Sequence, residues 1–220
     1  MRWPEVAALA SRTLLAIPVG STEQHGPHLP LSTDTDIAIA VAGALSRHRV
    51  DVAVAPAVAY GSSGEHAGFP GTLSIGQEAL EALLVELARS ADDFAGVLFV
   101  SAHGGNAQPV AQAVRRLGAE GRRVRAWSPP AGDPTDSHAG RTETSVMLAV
   151  NPVQATLSGR PPAGVVRPIG ELMPALRRFG VGAVSRTGVL GDPAGASAEI
   201  GREALERWTQ ELVAALEGWP

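Results

Sequence analysis

Hydrophobic and polar positions alternate along this chain in blocks, and the period of the pattern changes from block to block. Residues 13–19, Thr-Leu-Leu-Ala-Ile-Pro-Val, form a short unbroken apolar run, as a strand buried on both faces does. From Asp34 to His48 the apolar residues Ile37, Val41 and Leu45 recur at helical spacing. Asp34 and Asp36 open that segment, where carboxylates suit a helix N-terminus. Residues 51–58 return to a Val/Ala strand. Gly76 to Asp92 reads as a helix with Leu80, Leu83, Leu84 and Leu87 on one face. Residues 96–102 make a third strand, 106–118 a third helix and 123–128 a short fourth strand. Helices follow over 141–150 and near 197–217, the last with a stripe of Leu205, Trp208, Leu212 and Leu216. The stretches 129–140 and 151–169 read as surface loops.

Alternating strands and helices, with strands that are continuous apolar runs, predict an α/β fold of three layers, α/β/α, around a mostly parallel sheet. The 220 residues suit one domain over 1–220. In such folds ligands sit beyond the carboxyl ends of the strands, so the loops after the strands should carry the chemistry. No charged leader precedes an apolar run and no apolar stretch is long enough to span a bilayer. The expectation is a cytoplasmic protein without membrane contact.

Composition narrows the chemistry. The chain has no cysteine, which removes thiolate metal sites, disulfides and a cysteine nucleophile. All 18 basic residues are arginine, which removes Schiff-base and P-loop lysines. A net charge of −4 argues against nucleic acid as a partner.

The three loops after the strands then stand out. The first reads Gly20-Ser-Thr-Glu23-Gln-His25-Gly-Pro-His28-Leu-Pro30 and runs on to Asp34. The second is His103-Gly104-Gly105-Asn106. The third holds His138-Ala-Gly-Arg-Thr-Glu143-Thr-Ser145. Four of the six histidines fall in them. Imidazole and carboxylate together are ligands for Zn²⁺, Fe²⁺ or Mn²⁺. Glu23, His25, Asp34, His103 and Glu143 suffice for a dinuclear centre, and the glycines beside them, Gly104 and Gly105 included, let backbone pass close to ions and substrate. Each part also has a plainer explanation. Glu23 and His25 could form a solvated turn, Asp34 an N-cap, His103 a core histidine, and His138 with Glu143 a helix start. Their joint occurrence at three strand ends favours the metal centre.

These motifs, with Phe69-Pro-Gly-Thr72, resemble the creatininase (creatinine amidohydrolase) family along almost the whole chain. The resemblance implies two divalent metal ions per subunit, Zn²⁺, Fe²⁺ or both, or Mn²⁺, with Glu23, His25, Asp34 and His103 as ligands and Asp34 bridging. Creatininase carries a glutamate where this chain has Gly105, and Glu143 is the replacement carboxylate. The stretches 59–72, 84–90 and 188–197 resemble a peptidase branch of the family. That branch hydrolyses a bond near the C-terminus of a modified precursor peptide and releases a crosslinked Val–Tyr-derived fragment for redox cofactor biosynthesis. It also implies a homo-oligomer, of hexamer size or similar. Glu23 and His138 are the catalytic candidates, His138 as general acid for the leaving amine. Glu65, His66, Phe69, Gly104 and Gly105 are candidates for the substrate pocket. Two other readings stand beside this one: a small-molecule amidohydrolase acting on creatinine or a formamide, and a non-catalytic metal-binding scaffold. A serine hydrolase is weaker, since Ser21 lies in Gly-Ser-Thr and not in a nucleophile elbow.

Overall fold

In the computed structural model, which describes residues 2–153, 155 and 161–219, four parallel strands form one sheet. They are β1 (Leu14–Val19), β2 (Val52–Val54), β3 (Gly96–Ser101) and β4 (Val124–Trp127), in the order β2-β1-β3-β4. β1 and β3 pair along their whole length, from Leu14 opposite Gly96 to Val19 opposite Ser101. β2 is shorter than the apolar run 51–58. Pro56 has no amide for the ladder, and past Val54 only Ala55 and Val58 still donate to β1 carbonyls.

Alternate residues of each strand face opposite layers. Leu14, Ala16, Leu98 and Val100 pack in a cluster with Ile37, Val41, Leu45, Met147, Trp208 and Leu212. Those residues belong to α2 (Thr33–His48), α5 (Arg141–Val150) and α8 (Ala198–Ala215). Ile17, Val19, Val97 and Phe99 face the other way, onto Leu80, Leu84, Val110 and Leu117. These lie on α3 (Gln77–Arg89) and α4 (Ala107–Ala119). The α/β/α architecture expected from the sequence is therefore the one observed. Leu83 departs from the expected stripe of α3. It sits at the edge of the buried face and is 39% exposed.

Three helices were not expected from the pattern. α1 (Trp3–Leu9) precedes β1, and α6 (Ile169–Phe179) and α7 (Val181–Val184) follow the loop 151–168. α6 and α7 build a small third core from Leu172, Leu176, Val181 and Leu190. That loop is not wholly at the surface, because Ala155 is buried. Residues 154 and 156–160 of it lie outside the described residues.

The sheet order places the site. From β1 the chain crosses to β2 on one side of it, with α2 between them. From β3 it crosses to β4 on the other side, through α4 on the opposite layer. Neighbouring strands β1 and β3 are thus the switch point of the sheet, and a crevice opens between the loops at their carboxyl ends.

Candidate metal centre

The β1 loop begins at Gly20, where a Cβ would lie 2.4 Å from the Thr35 Cα. Only glycine permits that approach, which seats the first turn of α2 against the strand end and brings Asp34 under the loop. Ser32 is the N-cap of α2, and Asp34 stands inside the helix. Glu23 and His25 are 0% exposed, so they form no solvated turn. The β3 loop adds buried His103, and the start of α5 adds Glu143. His138 arrives through an antiparallel bridge to Leu190 and is also buried.

These side chains converge. Asp34 Oδ1 lies 3.3 Å from His25 Nε2, and its Oδ2 lies 3.4 Å from His103 Nδ1. Glu23 Oε2 is 3.2 Å from His103 Nε2, and Glu143 Oε2 is 3.9 Å from His25 Nε2. Among the described residues, three sets of ligand atoms each gather within 4.8 Å of one another: Glu23, Asp34 and His103; His25, His138 and Glu143; and Glu23, His66 and His138.

Backbone carbonyls assign the ring protons, because a carbonyl only accepts. His25 Nδ1 donates to the Glu23 carbonyl at 3.2 Å, which leaves the Nε2 lone pair toward Asp34. His103 Nε2 donates to the Ser62 carbonyl at 3.0 Å, which leaves Nδ1 toward the other Asp34 oxygen. His138 Nε2 donates to the Gln24 carbonyl at 2.9 Å, which leaves Nδ1 toward the centre. A lone pair facing a carboxylate oxygen at such distances is held only by a proton or a cation between them. Among the described residues, neither carboxylate oxygen of Glu23 nor Oδ2 of Asp34, all buried, accepts a hydrogen bond. Buried, unpartnered carboxylate oxygens are costly, and a divalent cation is the partner that this nitrogen and oxygen donor set fits.

Charge tells the same story. Burial, then the Asp34 charge, raises the Glu23 carboxyl to about 7. Burial likewise brings Glu143 to about 7. Burial opposes a charge on His25, but Asp34, then Glu143 and Glu23, outweigh it and lift the ring to about 10. Burial also opposes a charge on His103, and again Asp34 and Glu23 win and raise it. For Asp34, burial is overcome by His25 and His103, which hold its carboxyl below the usual range. His138 goes the other way: burial, then His25 and His66, push it far below the usual imidazole value.

Other sequence candidates fall into distinct places. A cavity of about 930 Å³ opens onto the centre, lined there by Glu65, His66, His103, Gly104, Gly105 and His138. α6 also lines it, with Ile169, Met173 and Leu176 beside Arg177 and Arg178. A Cβ at Gly105 would stand 2.3 Å from the Ser62 carbonyl oxygen and 2.5 Å from Glu65 Oε1. Glu65 thus occupies the space beside His103, with 3.6 Å between Oε1 and Nε2. Phe69 does not reach this cavity. It packs near Gly182 of α7 and lines a second cavity of about 380 Å³ with Gln24, Pro27, Leu31 and Thr187. His28 turns away to Thr144 Oγ1 at 3.0 Å. Sequence reasoning missed Gln24 and the α6 wall. The signal for Gln24 was its place between two candidate ligands, Glu23 and His25.

The chain is similar to known proteins along most of its length. The family model described as creatinine amidohydrolase, of the creatininase family, matches residues 1–216. The chain is 48% identical over 214 residues to the mycofactocin precursor peptide peptidase of Mycobacterium ulcerans (strain Agy99), spanning 93% of this chain and 85% of that protein. It is 49% identical over 218 residues to the same-named protein of Mycobacterium tuberculosis (strain ATCC 25618 / H37Rv), with the same two shares. Among solved structures, a creatininase with manganese superposes with a TM-score of 0.82 at 26% identity, over 100% of this chain and 97% of its own. By sequence and by fold, the chain belongs to the creatininase family.

Proposed function

We propose that the chain is a dinuclear, metal-dependent peptidase of the mycofactocin system. It hydrolyses a peptide bond near the C-terminus of the modified precursor peptide and releases the crosslinked Val–Tyr-derived fragment that matures into a redox cofactor. Near-half identity to mycofactocin precursor peptide peptidases over 93% of the chain carries this reading. The cavity supports it. About 930 Å³ is at the upper end of the range of about 300–1,000 Å³ for small-molecule pockets, and far more than creatinine fills. Ile169, Met173 and Leu176 of α6 suit an aromatic and aliphatic fragment, and Arg177 and Arg178 suit a carboxylate.

Glu23, Asp34 and His103 would hold one cation, and His25 and Glu143, with the other Asp34 oxygen, would hold a second. Zn²⁺ and Fe²⁺ suit these ligands, as does Mn²⁺. When bound, such a pair supplies a Lewis acid for the scissile carbonyl and lowers the pKa of water. His138 is neutral and presents the Nδ1 lone pair. It takes the proton that water gives up as the C–O bond forms and returns it to the amine as the C–N bond breaks. Gly104 and Gly105 let the peptide backbone approach, and Glu65 stands at the cavity face of His103. The second cavity gives Phe69 a contact with a more distant part of the peptide. Among the described residues no helix is long and apolar enough to cross a membrane. The proposed setting is the cytoplasm, as a homo-oligomer of about hexamer size.

The test offers the metal-loaded protein three substrates side by side: the modified precursor peptide, creatinine and a formamide. Mass spectrometry is expected to find the Val–Tyr-derived fragment released from the peptide alone. Turnover of creatinine or the formamide with the peptide intact would overturn the reading.

A further inference from the structure

His66 is one of the six histidines, yet it lies in none of the three loops that the ligand pattern singles out. It is 4% exposed, its Nε2 stands 3.3 Å from Glu23 Oε1, and it belongs to one of the three convergent sets. Two roles compete for it on position alone: a metal ligand and a substrate contact.

The Gln24 side chain decides between them. Its amide orientation is fixed from both ends. Oε1 accepts from the Gly26 backbone amide at 2.9 Å, and a backbone N–H can only donate. Nε2 lies 3.2 Å from the Gly188 carbonyl, which can only accept. The nitrogen end of Gln24 therefore faces His66 Nδ1, at 2.8 Å. A neutral imidazole that accepts at Nδ1 carries its proton on Nε2. That proton is on the side of Glu23 Oε1, and an Nε2 that bears a proton offers no lone pair to a cation. Gly188 makes the arrangement possible. Its φ is +80°, and a Cβ there would collide with the Gln24 amide.

We infer that His66 is a positioning residue. It donates from Nε2 to Glu23 Oε1 in the loaded centre, so that Glu23 Oε2 is the oxygen turned toward His103 and the cation, and Gln24 sets its tautomer. Of the three convergent sets, the one made of Glu23, His66 and His138 is then not a metal site. The inference rests on the proposed role of Glu23 as a ligand.

The test titrates metal-stripped protein with Zn²⁺ alone and compares substitutions of His66. His66→Ala is expected to bind Zn²⁺ with unchanged stoichiometry and about 10–100-fold lower affinity, the usual cost of losing a partner behind a ligand. KM for the peptide is expected to stay the same. Gln places an amide N–H near the Nε2 position and Asn near the Nδ1 position. His66→Gln should therefore recover most of the affinity and His66→Asn little of it. Long-range ¹H–¹⁵N spectra of the loaded protein should show the His66 proton on Nε2. Loss of one Zn²⁺ from the stoichiometry would make His66 a ligand and overturn the inference. Unchanged affinity with a raised KM would make it a substrate contact and overturn it as well. Glu23→Gln separates the two levels. If it keeps full Zn²⁺ affinity, the proposed centre fails and takes the inference with it. If it loses Zn²⁺ while His66→Ala does not, only the inference fails.

Discussion

Asp34 is the residue on which both halves of the centre meet, because each of its oxygens faces a different histidine. Asp34→Ala is expected to abolish binding of both cations, and turnover with it, in a metal analysis of the purified variant. Retention of two tightly bound ions would show that the bridge is elsewhere. The shared protons give a second expectation. In the metal-free protein Glu23 and Glu143 titrate near 7 and His25 near 10, so these ligands hold protons at or below neutrality. A cation binds only the deprotonated ligands, so its affinity falls as pH falls through about 7, and uptake at neutral pH releases protons. Calorimetry in buffers of different ionisation heat measures that release, and affinity that rises toward acid pH would contradict it. At this scale much of the site was legible, because imidazole and carboxylate at strand ends beside glycine have few other uses together. Gln24 and the tautomer it imposes were not legible. They arise from loops that only folding brings together, with Gln24 and His138 114 positions apart and Gln24 and Gly188 164 apart.

Elements carry the proposed ligands, so their packing is expected to tune the proposed centre from a distance. α8 crosses α5 at Gly201, where a Cβ would lie 1.9 Å from the Ser145 carbonyl oxygen. α5 begins two residues before Glu143, whose carboxylate accepts from the amide of Ala139, just ahead of the helix, at 2.6 Å. In an open helix Gly→Ala gains about 1 kcal/mol. Here the clash with backbone outweighs that gain, and Gly201→Ala is expected to destabilise by about 1–3 kcal/mol. It should also weaken the His25 and Glu143 half of the centre. Denaturant unfolding and metal titration check the two effects, and a more stable variant would mean that the helices separate freely. The strands and the long helices were readable because burial on one face forces a period of 2 or 3.6. α6 was hidden by Pro174, which removes an amide from its interior, and by Gly170 in its first turn. Its stability comes from the satellite core that it shares with α7 and Leu190, and such support leaves no signature within 11 residues of sequence.

For the whole molecule, the two main cores lie on opposite faces of one sheet and share its strands. The chain is proposed to unfold as one domain, in a single transition. Bound cations should raise that transition in proportion to the logarithm of their free concentration, by about 2.7 kcal/mol at about 100 times Kd. A melting temperature indifferent to Zn²⁺ would mean that the ligands are not assembled by the fold. The switch point of the sheet has one more consequence. The β1 loop, the β3 loop and the start of α5 meet only after β1 and β3 have paired and α5 has docked against α8. Contacts so distant in sequence form late, since chain closure must come first. An unfolded or half-made chain therefore has scattered weak donors and no centre. Loading of the proposed centre would then be an event in the life of the finished fold, with the ion chosen by what the surroundings supply at that moment.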